Sequence, residues 1–99
     1  MRNMNSKYRR MLNRLPEDIK TILEGLGSEY IVENYNPQYM GWSVDIVIKS
    51  KRFNLVKEWH QVFISEIKNE GNIHLWPEKD KKSNLELENV AGVINELIA

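Results

Sequence analysis

The sequence predicts an α+β fold: a small three-stranded, largely antiparallel sheet with helices packed on it, in the order α-α-β-β-α-β-α. Three observations predict it. Trp42, Val44, Ile46 and Ile48 fall on one side of an extended segment, with Ser43, Asp45, Val47 and Lys49 on the other. That is the period of two expected of a half-buried strand of strong β-formers. Both ends of the chain instead repeat apolar residues every three or four positions, as helix faces do. Between them, Asn36-Pro37 and Met40-Gly41 carry turn chemistry. With 99 residues, 41% of them hydrophobic and 28% charged, the chain suits one domain with one core, residues 1–99.

Residues 4–14 place Met4, Tyr8, Met11, Leu12 and Leu15 at helical spacing, with Arg9, Arg10, Asn13 and Arg14 mainly elsewhere. Residues 1–14 therefore read as a basic N-terminal helix. Pro16 ends it, because proline disfavours the α region for the residue before it. Pro16 also suits the first position of a second helix, with Glu17 and Asp18 favourable near the positive end of its dipole. Ile19, Ile22, Leu23 and Leu26 make the apolar face, and Gly25 or Gly27 is expected to supply a left-handed stop.

Glu29 to Tyr35 reads as a strand, with Tyr30 and Val32 on one side and Ile31, Glu33 and Tyr35 on the other. The segment 36–41 joins it to the 42–49 strand as an antiparallel hairpin with a longish loop.

Residues 51–70 admit two readings. Projected at 100° per residue, Asn54, Lys57, Glu58, Gln61, Ser65, Lys68 and Asn69 gather on one arc, and Phe53, Leu55, Val56, Trp59, Val62, Phe63, Ile64 and Ile67 lie opposite. The favoured reading is one long helix, with Ser50 as N-cap and Gly71 just past its end. The competing reading splits the stretch into strands, with Asn69-Glu70-Gly71 as a hairpin turn whose glycine is left-handed. It gives a four- or five-stranded antiparallel meander flanked by N- and C-terminal helices. Ile73 to Trp76 is a short strand stopped by Pro77, and 78–82 a charged loop. Ser83 and Glu86 form a capping box before a last helix with Leu87, Val90, Ala91, Val93, Ile94, Leu97 and Ile98 on one face.

Composition excludes several function classes. The chain has no cysteine, so disulfides, thiol catalysis and thiolate metal sites are out. No apolar run approaches the ~18 residues of a membrane span, and no apolar segment follows the N-terminal bases as a secretory signal would require. A cytoplasmic protein is expected. Fourteen Lys and Arg balance fourteen Asp and Glu, so the global field of a strong nucleic-acid binder is missing. The charge is nonetheless uneven. Residues 1–14 hold five bases and no acid, residues 15–48 six acids and one base, and residues 49–57 four bases and no acid.

Asp45, Glu66 and Lys68 have the D-x20-E-x-K spacing of metal-dependent nucleases, in which acids hold a divalent ion and lysine assists the attacking water. That chemistry needs Glu66 and Lys68 on a strand beside Asp45, so it is a remote alternative. His60 and His74, the only histidines, are too few for a zinc site without several carboxylates. No nucleophile elbow or phosphate-binding glycine loop is present. No catalytic residue, metal or cofactor is assigned.

The leading expectation is a non-enzymatic protein-binding domain, such as a small inhibitor, immunity protein or adaptor. A short chain of this kind resembles small bacterial or phage binding proteins in general build. Its contact residues would be Glu33, Tyr35, Asp45, His74 and Trp76, an aromatic-acidic sheet face suited to a basic protein partner. The alternative is a nucleic-acid-binding regulator using Lys7, Arg9, Arg10 and Arg14 with Lys49, Lys51 and Arg52, whose phosphate contacts would make binding salt-sensitive.

Overall fold

The alternating stretch does form a strand, and so does almost everything around it. A computed structural model describes residues 6–77 and 87–99. Within them the order is α1 (Ser6–Asn13), α2 (Glu17–Glu24), β1 (Tyr30–Gln38), β2 (Gly41–Ile48), β3 (Lys51–Glu58), β4 (Gln61–Lys68), β5 (Gly71–Trp76) and α3 (Leu87–Leu97). The strands make one antiparallel sheet in the order β1-β2-β3-β4-β5. Met4, the 78–82 loop and the Ser83–Glu86 capping box lie outside the described residues.

Two expectations are corrected. The sheet has five strands rather than three, and residues 51–70 form β3 and β4 rather than one helix. The alternative five-stranded meander fits. Phe53 and Leu55 on β3 and Val62 and Ile64 on β4 keep period two and are fully buried. Val56, Phe63 and Ile67 put apolar side chains on the opposite face, where they are half-buried. Apolar residues on both faces blur the alternation, and the stretch then projects as a broad helical face. No Gly, Pro, Asn, Asp or Ser marks the Trp59-His60 turn, which hides the break.

Each hairpin closes with two residues: Tyr39-Met40, Lys49-Ser50, Trp59-His60 and Asn69-Glu70. The right-handed twist of paired strands favours turns with positive φ. Here that conformation falls on non-glycine residues: Met40 (φ 65°), Lys49 (50°), Ser50 (65°) and Trp59 (56°). Gly71, at φ 124°, has the positive φ of the competing reading. The loop expected over 36–41 shrinks because β1 runs on to Gln38 and pairs it with Gly41.

All the apolar stripes meet on one side of the sheet. Leu15, Ile19, Ile22 and Leu23, with Val90, Ala91 and Ile94 of α3, share one core with Val32, Trp42, Val44, Ile46, Ile48, Phe53, Leu55, Val62 and Ile64. Lys57 Nζ reaches across this side to Asp18 Oδ2 of α2 at 2.6 Å. Pro16 sits at the N-cap, one place before its expected position, and its carbonyl accepts the first helical bond from the Lys20 N–H. Gly25 ends α2 in the right-handed region (φ −83°) rather than the left-handed one. The side chain of Asn95 on α3 caps this end instead, donating to the Gly25 carbonyl (3.0 Å) and accepting from the Gly27 N–H (2.9 Å). No described helix is long and apolar enough to cross a membrane.

A Cβ on Gly41 would lie 1.8 Å from the Lys57 carbonyl oxygen across the β2–β3 pair. Gly41→Ala is therefore expected to cost about 3 kcal/mol or more, read from the urea midpoint. The reverse holds at the β2–β3 turn. Lys49→Asn with Ser50→Gly keeps the turn, removes the Cβ at position 50 and puts at 49 a residue that tolerates left-handed backbone, so the double variant should gain about 1 kcal/mol in the same measurement.

Candidate functional site

Strand parity and register build a row of polar side chains across the sheet face away from the helices. Asn34 pairs with Asp45, Asp45 with Asn54, Asn54 with Ser65, and Ser65 with His74. Each strand contributes one member. Asn54 Nδ2 donates to Asp45 Oδ1 (2.7 Å) and to Ser43 Oγ (3.1 Å), and Asn34 Nδ2 donates to Asp45 Oδ2 (3.4 Å). Asp45 is held by amide donors and has no ion pair among the described residues. His74 donates through Nε2 to the Pro77 carbonyl, and its ring centroid lies 6.5 Å from that of Phe63.

No helix among the described residues packs on this face. Its row contains a serine, a histidine and an aspartate, but their order forbids triad chemistry. Asn54 and Ser65 stand between Asp45 and His74, which places the carboxylate roughly 14 Å, three strand spacings, from the imidazole. The nuclease signature is not assembled either. Glu66 and Lys68 do lie on a strand, yet Glu66 pairs with the buried Phe53 and so faces the helix side, opposite to Asp45.

The expected contact residues divide between the two faces. Glu33, Asp45 and His74 stand on the uncovered side; Tyr35 and Trp76 do not. A register shift between Val32 and Asn34 inserts Glu33 as an extra residue, so Val32 and Tyr35 both pair with buried residues, Ile46 and Val44. A second shift on β5 likewise pairs Trp76 with buried Ile64. Tyr35 and Trp76 consequently pack against the core. Glu33 turns to Arg52, with Oε1 2.7 Å from Nε and Oε2 3.3 Å from Nη2.

The exposed aromatic surface lies elsewhere. The β1–β2 and β3–β4 turns sit at the same end of the meander, and the Trp59 N–H donates to the Met40 carbonyl at 3.0 Å. Tyr39 is 90% exposed, Trp59 63% and Met40 45%. A depression of about 260 Å³ lined by Glu58, Trp59, His60, Gln61 and Phe63 joins this end to the uncovered face. Sequence periodicity missed Tyr39 and Trp59 because turn residues follow no period.

The basic residues do not form one patch. Lys51 and Arg52, adjacent on β3, point to opposite faces: Lys51 Nζ donates to the Leu97 carbonyl at the end of α3 (3.2 Å), and Arg52 holds Glu33. Lys49 is exposed in its turn. Arg9 and Arg10 are exposed on α1 and Arg14 just past its end, and the Lys7 side chain lies outside the described residues. Arg10 and Arg14 line a cleft of about 500 Å³ between α1 and β1.

Packing of Tyr35 and Trp76 on the core predicts that alanine at either position lowers stability by about 2 kcal/mol. Alanine at Tyr39 or Trp59 should change it by less than about 0.5 kcal/mol, both measured by urea denaturation. No protein-family model, curated protein or solved structure matches this chain.

Proposed function

We propose that the chain is a non-enzymatic protein-binding domain, a small inhibitor, immunity protein or adaptor of the cytoplasm. It engages its partner through the uncovered sheet face and the aromatic end that continues it. One observation carries this reading: the described helices all serve one side of the sheet, while the other side presents the row from Asn34 to His74 and leads to Tyr39, Met40 and Trp59. Met40 and Trp59 hold left-handed backbone, which costs a bulky residue about 1–2 kcal/mol relative to glycine. Neither side chain repays that cost within the core. Buried against a partner, a tryptophan and a tyrosine are the residue types that most often dominate binding energy.

Charge indicates the partner's chemistry. Asp45 and Glu58 on this side have no ion pair among the described residues, and Arg52 is already matched to Glu33. The surplus is negative, so a basic protein surface complements it. Pairing of Lys51 and Arg52 within the chain leaves the nucleic-acid reading resting on the N-terminal arginines and Lys49.

Immobilised wild-type chain should capture a basic protein from a nuclease-treated lysate. Once that protein is purified, titration calorimetry should show affinity falling tenfold or more, about 1.4 kcal/mol, in Asp45→Asn and in Tyr39→Ser with Trp59→Gly. Unchanged affinity in both variants would reject this surface. Recovery of nucleic acid in place of protein from a parallel lysate left without nuclease would reject the reading itself.

A further inference from the structure

We infer that the cleft between α1 and β1 is a binding site for a small phosphate monoester carrying a planar ring. It lies apart from the aromatic end and does not depend on the protein-binding reading. Arg10 lies on α1 and Arg14 directly follows its last residue, and the Arg14 N–H still donates to the Arg10 carbonyl (3.2 Å), so the i, i+4 pair keeps to one side of the helix. They line one wall of a cleft of about 500 Å³, with Glu33, Asn34 and Tyr35 of β1 on the other. That volume falls within the ~300–1,000 Å³ typical of small-molecule sites. Tyr8, also on α1, fixes the geometry: its Oη accepts a bond from the Val32 N–H at 3.3 Å, just before the extra residue in β1.

The electrostatics of the cleft are incomplete as the chain stands. Among the described residues of its lining Glu33 is the only carboxylate, and a two-point contact with Arg52 already occupies it. Among the described residues, neither Arg10 nor Arg14 has a side-chain partner. Two guanidinium groups are thus left facing a concave space beside a carboxylate that is already neutralised. Guanidinium forks are suited to two-point contacts with phosphate or carboxylate oxygens. A phosphate monoester carries about −1.5 to −2 charge at neutral pH, which matches two free cations more closely than a single carboxylate does. Tyr8, Met11 and Tyr35 add two aromatic side chains and a thioether to the lining, and these accept a planar group better than a bare ion. Asn34 adds a polar side chain beside them. Charge selects the phosphate and the walls select its substituent.

The inserted Glu33 has a further role here. Its pairing with Arg52 keeps the carboxylate from closing onto Arg10 and Arg14. Loss of Arg52 would free it to compete with the ligand, so Arg52 is a positioning residue, whereas Arg10 and Arg14 are contact residues.

The test is titration of the full chain with phenyl phosphate, followed by amide chemical shifts, with inorganic phosphate and benzoate as comparison arms. Saturable shifts confined to α1 and residues 32–36 are expected, with phenyl phosphate binding at least about threefold more tightly than either comparison. Arg10→Ala and Arg14→Ala should each weaken it about tenfold or more. Arg52→Ala should weaken it as well, and Arg52→Ala with Glu33→Gln should restore it, a rescue that a merely structural role for Arg52 would not show. These positions are exposed, so retained peak dispersion verifies the fold in each variant. Absence of saturable shifts, equal affinity for inorganic phosphate, or unchanged affinity in Arg10→Ala with Arg14→Ala would each overturn the assignment.

Discussion

Trp42, Val44, Ile46 and Ile48 are removed from water on one side of β2, and the architecture follows from covering them. Burying a large apolar side chain is worth about 1.5–3 kcal/mol, so four in a row commit this side to the core. The backbone of β2 also needs partners along both edges, and β1 and β3 supply them. Helices α2 and α3 then lay Ile19, Ile22, Leu23, Val90, Ala91 and Ile94 over the same side. Spending the helical apolar faces there leaves the opposite sheet face without a helix among the described residues. The asymmetry that builds the core thereby exposes the candidate surface.

One extra residue in β1 decides how that surface is populated. At a bulge two residues on one strand oppose one on its neighbour, so everything beyond it changes sides. The shift at Glu33 sends Tyr35 to the core and leaves Asn34 in register with Asp45. It also turns the Glu33 carboxylate toward Arg52 and brings it to the wall of the α1 cleft. The polar row and the cleft are therefore consequences of the same local irregularity. The edge-facing Val32 N–H, bonded by Tyr8, holds α1 beside it.

The molecule accepts local costs where the global arrangement demands them. Trp42 buries its indole Nε1 without a hydrogen-bond partner among the described residues, a loss of roughly 1–3 kcal/mol set against the apolar area of the ring. Four non-glycine residues hold positive φ in the hairpin turns, since tight closure of twisted strands outweighs the preference of each residue. Two of them, Met40 and Trp59, carry exposed apolar side chains at the same end of the sheet. Local preference thus gives way at the core and at the turns for different reasons. Core area compensates the first, and closure of the hairpins compensates the second.

By itself the sequence determined the elements whose residues repeat with one clear period. The helix faces at Ile19-Ile22-Leu23 and Val90-Ala91-Ile94 and the buried side of β2 were legible because a single face of each is apolar. The same parity argument put Asp45 and, with the right register, Glu33 and His74 on the far side of the sheet. It failed over 51–70, where Val56, Phe63 and Ile67 make both faces partly apolar and Trp59-His60 turns without a turn residue. It failed again for Tyr35 and Trp76, because a one-residue register shift leaves no mark in composition or spacing. The aromatic end and the arginine cleft arise from turns and elements distant in sequence that pairing brings together. Side-chain chemistry at fixed spacing is a local property, readable along the chain. Register, turn conformation and the choice of face depend on which strands pair, and only the tertiary structure decides that.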